Sequence, residues 1–282
     1  MAIATVFGAN HVCARIAFDH GTSVSTAVAV RSAGTALFVL ALLRVQGVSL
    51  KLPAATHWRA AGIGALIALQ SWLIYSAVAR IPVGLALLAF NTFPMLFMLI
   101  SSAAGVERLS ARALVAMPAA LVGLALALDV VGKSGDMAGR WAEIGAGVSF
   151  ALGAAVIFAT VLFLNTRWLK EVDGRVRTLL TLGVAAVVML AAVAAAGGFA
   201  LPADATGWLG LVLLTAFYGA AFTVLFTVLP RIGAASNSVA MNFEPIAVLF
   251  LAWAVLGQSV APLQIFGAFM VVGAIMALGA GK

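Results

Sequence analysis

Glu244 is the one acidic residue that falls deep inside an apolar run of this sequence, in Met241-Asn242-Phe243-Glu244-Pro245. An ionised side chain at that depth costs about 2.5–3.5 kcal/mol on insertion scales, so it turns to the bundle interior or a wet cavity. Two chemistries suit such a carboxyl: accepting a proton, or balancing the ammonium of a bound solute. The ordinary alternative is a structural acid that pairs with a base or bonds backbone freed by Pro245. Asn91 with Pro94, and Asn242 with Pro245, share one further arrangement. Each proline lacks a backbone donor and clashes with the carbonyl four residues earlier, that of Phe90 or Met241. The neighbouring amides can bond that loosened backbone or a ligand, and broken helices of this kind build midplane sites in transporters. A static kink is the plainer alternative.

Asn10, His11, Gln70, Trp72, Tyr75 and Tyr218 are further polar or amphipathic groups within apolar runs. Taken singly, each is a helix-packing hydrogen bond. Taken together, they outline a polar cavity for a small amphipathic solute, with Pro94 and Pro245 as its hinges. Arg31, in the outer half of the second run, is expected to snorkel to the interface rather than meet a substrate carboxylate.

Enzymatic chemistry has no foothold in the sequence. It contains no H-E-x-x-H, G-x-S-x-G or P-loop pattern, and no pair of acids within the apolar runs. With no nucleotide-driven motor, transport must be facilitated or driven by an ion gradient. Cys13 stands alone, and His11, His20 and His57 lack ligand spacing, so neither a metal nor a cofactor is expected. The net charge of +7 comes from bases in short loops, which marks topology and not nucleic-acid binding.

The elements that must position these residues are transmembrane helices. Hydrophobic residues make up 64% and charged ones 9%, with a mean hydropathy of +1.17. Too little polar surface is available to cover a globule, so the solvent is lipid. Ten apolar runs near 2–18, 24–43, 60–79, 83–104, 112–131, 144–165, 177–197, 207–229, 234–256 and 262–280 read as spans. Only helices satisfy their own backbone in hydrocarbon without the alternation of barrel strands. With the N-terminus in the cytoplasm, inner loops carry 11 bases and outer loops 3, a positive-inside bias that puts both termini in the cytoplasm. Trp58, Trp141, Trp168 and Trp208 fall at span ends as interface anchors. The stripes Ala60-Gly64-Ala68 and Ala119-Gly123-Ala127 predict close helix contacts.

A duplication organises the spans. Arg80-Ile81, Asn91 and Pro94 recur as Arg231-Ile232, Asn242 and Pro245, each shifted by 151 positions without a gap. Residues 1–131 and 132–282 are therefore expected to be two five-helix repeats within one integral membrane domain. Five is odd, so the second repeat enters from the opposite face. Two inverted halves around a midplane site are the architecture of alternating access. Glu244 corresponds to Phe93 and so belongs to one half alone.

The layout resembles the EamA type of the drug/metabolite transporter superfamily over the whole chain. The resemblance rests on the ten short spans, the duplicated unit, the proline-containing fourth and ninth spans after Arg-Ile, and the early Gly8-Ala9-Asn10 with Arg15 closing the first span. It implies an exporter of small metabolites in a bacterial inner membrane, with amino acids the leading cargo. Phe7-Gly8 stands where a tryptophan often precedes the polar stretch, a departure that bears on span one. The expected partners are a small-molecule substrate (an amino acid or similar metabolite) and membrane lipid, with no nucleic acid; the sequence does not fix the oligomeric state, and a monomer is compatible with it. The competing readings are a multidrug exporter and, from another class, an ion channel or scramblase. A channel needs rings of charge or carbonyls, and only Glu244 offers itself.

Overall fold

The computed structural model describes residues 2–106, 111–129, 137–227, 244–258 and 261–279. Among them, regular structure is entirely α-helical. The helices are α1 (Ala2–Asp19), α2 (Val24–Val45), α3 (Ala54–Val78), α4 (Val83–Phe90), α5 (Phe93–Ala103), α6 (Ala111–Ala127), α7 (Met137–Trp168), α8 (Gly174–Ala195), α9 (Ala205–Thr227), α10 (Glu244–Leu256) and α11 (Pro262–Gly279). The short α4 and α5 share one crossing, so the described helices make up ten spans. The 22 residues of α2 and of α8 reach about 33 Å at 1.5 Å per residue, enough for a hydrocarbon core about 30 Å thick. Among the described residues, five crossings are long and apolar enough to span by length and composition, including Val83–Ala103 taken through its break. Leu37, Val115, Val187, Val212, Trp253 and Phe269 are each more than half exposed, an outer surface suited to acyl chains. The four interface tryptophans are exposed as well.

The fourth crossing departs from the expected continuous helix over 83–104. It breaks at Asn91, which caps the end of α4, and restarts at Thr92, with Pro94 in the first turn of α5. Both the backbone N–H of Asn91 and its Nδ2 donate to the carbonyl of Leu87, at 2.9 and 2.7 Å. A proline in the first turn has no N–H to leave unpaired, so the break is well tolerated.

The duplication is visible in the helices themselves. The equal-length α2 and α8 start 150 positions apart, and α3 and α9 start 151 apart. The N-cap side chains of Ser23 and Asp173 each accept a backbone N–H from the first turn of their helix. Both helices end before a left-handed glycine, Gly47 (φ 64°) and Gly197 (φ 91°), again 150 apart. Helix pairing repeats too. The bundle's principal contacts join α1 to α9 and α10, α7 to α3 and the α4–α5 crossing, α2 to α8 and α9, α8 to α3, α4 to α10, and α6 to α11. Exchanging every span with the one five places on returns the same set of pairs, which is the pattern of a twofold. An odd number of crossings per half makes that twofold an inverting one. Arg231, Ile232 and Asn242 lie outside the described residues, so this symmetry stands on other parts of the chain.

Glycines let the halves approach. A Cβ on Gly64 of α3 would fall 2.7 Å from the Thr181 carbonyl and 2.7 Å from Val184 Cβ, both on α8. A Cβ on Gly34 of α2 would fall 2.7 Å from Thr215 Cγ2 on α9. Positions 64 and 215 correspond under the repeat, as do 34 and 184, so the two contacts are related with glycine and β-branched partner exchanged. A Cβ on Gly123 of α6 would lie 2.8 Å from the Gly267 carbonyl of α11.

Candidate substrate-binding site

Asn10 and His11 lie half-way along α1, and both are buried. Ser71 and Tyr75 are one turn apart on the buried face of α3. Arg31 is the eighth residue of α2, about 10 Å below that helix's start at 1.5 Å per residue. Tyr75 joins these three helices. Its hydroxyl donates to Asn10 Oδ1 at 2.6 Å and accepts from Arg31 Nη1 at 2.8 Å. Arg31 Nη2 donates to Ser71 Oγ at 2.8 Å. Asn10 Nδ2 donates to the Leu214 carbonyl of α9 at 2.7 Å, which ties the two halves together.

The second half supplies two more groups. The Tyr218 ring of α9 lies under Arg31, with the guanidinium carbon 3.9 Å from its centroid; the Tyr75 ring lies at 4.8 Å. Cation–π contacts of this kind are worth about 2 kcal/mol when desolvated. Glu244 Oε1 is 3.9 Å from His11 Nε2, too long for a hydrogen bond. The His11 ring stands 5.5 Å from that of Tyr75. A hydrogen-bonded chain therefore runs Asn10, Tyr75, Arg31, Ser71, with Tyr218, His11 and Glu244 beside it.

Arg31 overturns one expectation. Its side chain does not snorkel: the residue is 3% exposed. The rotation of α2 puts it on the buried face with Thr35 one turn away, and α3 and α9 close over it. Among the described residues no carboxylate lies within 4 Å of its guanidinium. Neutral hydroxyls and ring faces hold the charge instead. Ser71 joins this network without having been singled out in the sequence, and Arg31 stands at its centre and not at the interface. The signal was there in the four-residue spacings Arg31–Thr35 and Ser71–Tyr75 on otherwise apolar helices.

The other expected residues scatter. Gln70 is half-buried, its Oε1 3.5 Å from Ser71 Oγ at the edge of the network. Trp72 turns to α7 and stacks edge-on to Phe150 at 5.7 Å. Asn91 serves its own helix end, and Asn242 lies outside the described residues. Pro94 and Pro245 lie in the first turns of α5 and α10. Among the described residues no group of three metal-ligating side chains forms. An apolar recess of about 410 Å³ between α10 and α11, lined by Leu249, Phe250, Trp253, Ile265 and Phe269, contains none of these polar groups.

Beyond the membrane, the ends of the bundle are tied across the halves. On the side carrying the α1–α2 loop, His20 Nδ1 meets Asp204 Oδ2 at 2.7 Å, Ala203 N–H donates to the His20 carbonyl, and Ala200 N–H donates to Thr26 Oγ1. The backbone N–H of Gly207, then the His20 ring, hold the Asp204 carboxyl below the usual carboxylate range. At the opposite end Arg175 Nη1 donates to Gln46 Oε1.

Ten spans, an inverted repeat and a buried polar network between the halves describe a polytopic membrane protein. Residues 145–280 match the model of the EamA-like transporter family, a stretch that takes in most of α7 and all of α8 to α11. This second half of the chain is similar to that family, which supports a membrane transporter of the EamA type. No curated protein matches the sequence. A solved crystal structure of a protein at 18% identity superimposes with a TM-score of 0.65, covering 98% of this chain and 95% of the other, which shows a shared fold.

Proposed function

We propose that this transporter exports small amphipathic metabolites, amino acids foremost, across a bacterial inner membrane by alternating access. Residues 1–131 and 132–282 are the two repeats, both termini are cytoplasmic, and the substrate sits among Asn10, His11, Tyr75, Tyr218 and Glu244. The observation that carries this reading is the shared network: three spans of one half and two of the other meet at buried polar groups. Rocking one half against the other opens such a site to either side in turn. Glu244 is the proton carrier, beside His11 on the facing half.

The test is counterflow of labelled amino acids into proteoliposomes. Saturable exchange, with competition between substrates, is expected. No flux for a broad amino-acid panel, together with flux of lipophilic cations, makes the multidrug alternative correct instead. Glu244→Gln should flatten the pH dependence of flux; a mutant that keeps the full pH response removes the acid from coupling.

A further inference from the structure

We infer that Arg31 is the recognition element for a carboxylate on the transported solute, so that the protein takes organic acids and zwitterions and rejects their neutral or cationic analogues. The inference rests on the transporter reading above and narrows its substrate class.

Three observations carry it. First, the guanidinium is buried on α2 with no carboxylate within 4 Å among the described residues, held by Tyr75, Ser71 and two ring faces. A buried charge is normally matched by an opposite one, and the described residues supply none within 4 Å. Second, donor capacity is left over. Arg31 Nε, Ser32 Oγ and Thr35 Oγ1 are buried polar atoms without a hydrogen-bond partner, all on one turn of one helix. Polar atoms buried in this way cost stability unless another state or ligand satisfies them. A carboxylate takes two parallel hydrogen bonds from an arginine fork and further ones from hydroxyls, which matches the vacant set. Third, this turn faces the other half of the molecule. A Cβ on Gly219 of α9 would lie 4.0 Å from Thr35 Oγ1, and the adjacent Tyr218 covers the guanidinium. Separating α9 from α2 therefore uncovers Arg31, and a carboxylate entering there replaces the ring as its partner. The same buried cation repels a lipophilic cation, which disfavours the multidrug alternative.

The experiment compares L-phenylalanine and L-leucine with their amides, which differ by one charge and little volume. Flux into proteoliposomes and thermal stabilisation of the detergent-solubilised protein are read for wild type, Arg31→Lys and Arg31→Gln. Wild type should move and be stabilised by the acids at least about tenfold better than by the amides, the size of one charge-assisted hydrogen bond. Arg31→Lys should raise KM for the acids, and Arg31→Gln should erase the acid-over-amide preference. Equal handling of acid and amide by wild type overturns the inference while leaving the transporter reading intact, and needs no variant to fold. Movement of a lipophilic cation such as tetraphenylphosphonium, with none for either amino-acid form, overturns both.

Discussion

Arg31 and Thr181 occupy the same place in the two halves: each is the eighth residue of a 22-residue helix, and each is buried. Thr181 bonds back to the Arg177 carbonyl of its own helix at 3.0 Å, whereas Arg31 reaches out to α3 and α9. The contrast extends along the network. Asn10 and His11 correspond to Thr160, which bonds within its own helix, and to Val161, which is buried in an apolar cluster. Ser71 and Tyr75 correspond to Phe222 and Phe226, Tyr218 to Ile67, and Glu244 to Phe93. At every one of these positions one half is polar or charged and its counterpart is apolar or self-satisfied. The backbone architecture is duplicated and the chemistry is not. The twofold lies in the scaffold, and the polar network between the halves is asymmetric.

The sharpest way to break this comparison is to exchange the paired residues. Arg31→Thr gives the first half what the second half has, and should lower amino-acid flux roughly 10–100-fold, the equivalent of losing one or two charge-assisted hydrogen bonds. Thr181→Ala should leave flux within about twofold, because an intrahelical back-bond of this kind contributes little to a helix. Initial rates at matched reconstitution densities decide it; comparable losses at both positions mean the halves are not functionally distinct.

Next in size is the hub. Tyr75→Phe leaves Asn10 Oδ1 and Arg31 Nη1 without their partner and should cost about 1–3 kcal/mol. Trp72→Phe, on the neighbouring helix face that meets Phe150, trims only packing and should cost about 1.5 kcal/mol or less. Melting curves in detergent should rank the two in that order.

The scaffold, in contrast, should respond symmetrically. Gly64→Val and Gly34→Val both overpack corresponding contacts, against Val184 and Thr215, at about 1–3 kcal/mol each. Adding Thr215→Gly to Gly34→Val should recover most of the loss, since it restores the exchanged arrangement of the other contact. No recovery, read by melting temperature, separates the two contacts and weakens the twofold.

The smallest effect lies outside the membrane. Asp204 ties the α8–α9 loop to His20, and its counterpart position is Pro53, so this link too belongs to one half's end. Its carboxyl titrates below the ordinary value of 3.8, so its stabilisation is present above about that pH and lost as pH falls through the depressed value. Asp204→Asn should therefore be less acid-sensitive than wild type below about pH 4. Parallel melting-temperature profiles for the two proteins would remove that link from the acid response.

These contrasts also show what a sequence can disclose about such a protein. The ten spans were legible because lipid demands long apolar runs, and no other feature of Val24–Val45 or Gly174–Ala195 was needed. The break near Asn91 and Pro94 was legible in position, since proline removes a donor wherever it stands. The extent of the break was not, because it depends on Asn91 folding back onto Leu87. Asn10, His11, Tyr75, Tyr218 and Glu244 could each be picked out as polar groups in hydrocarbon. Hydropathy alone does not say that they meet, while Trp72 turns away, because helix rotation is set by the glycine contacts between halves. Arg31 was misjudged for the same reason. An arginine ten ångströms from an interface snorkels when its helix face is lipid-exposed, and joins a buried polar network when α3 and α9 close over it.

The central claim is that α2 and α8 are equivalent helices standing in opposite directions across the bilayer. In a Cys13→Ala background, single cysteines at their exposed C-caps, Gln46→Cys and Ala196→Cys, can be labelled in intact cells with a membrane-impermeant maleimide. Ala196→Cys should react from outside and Gln46→Cys only after permeabilisation. Labelling of both from the same side would contradict it.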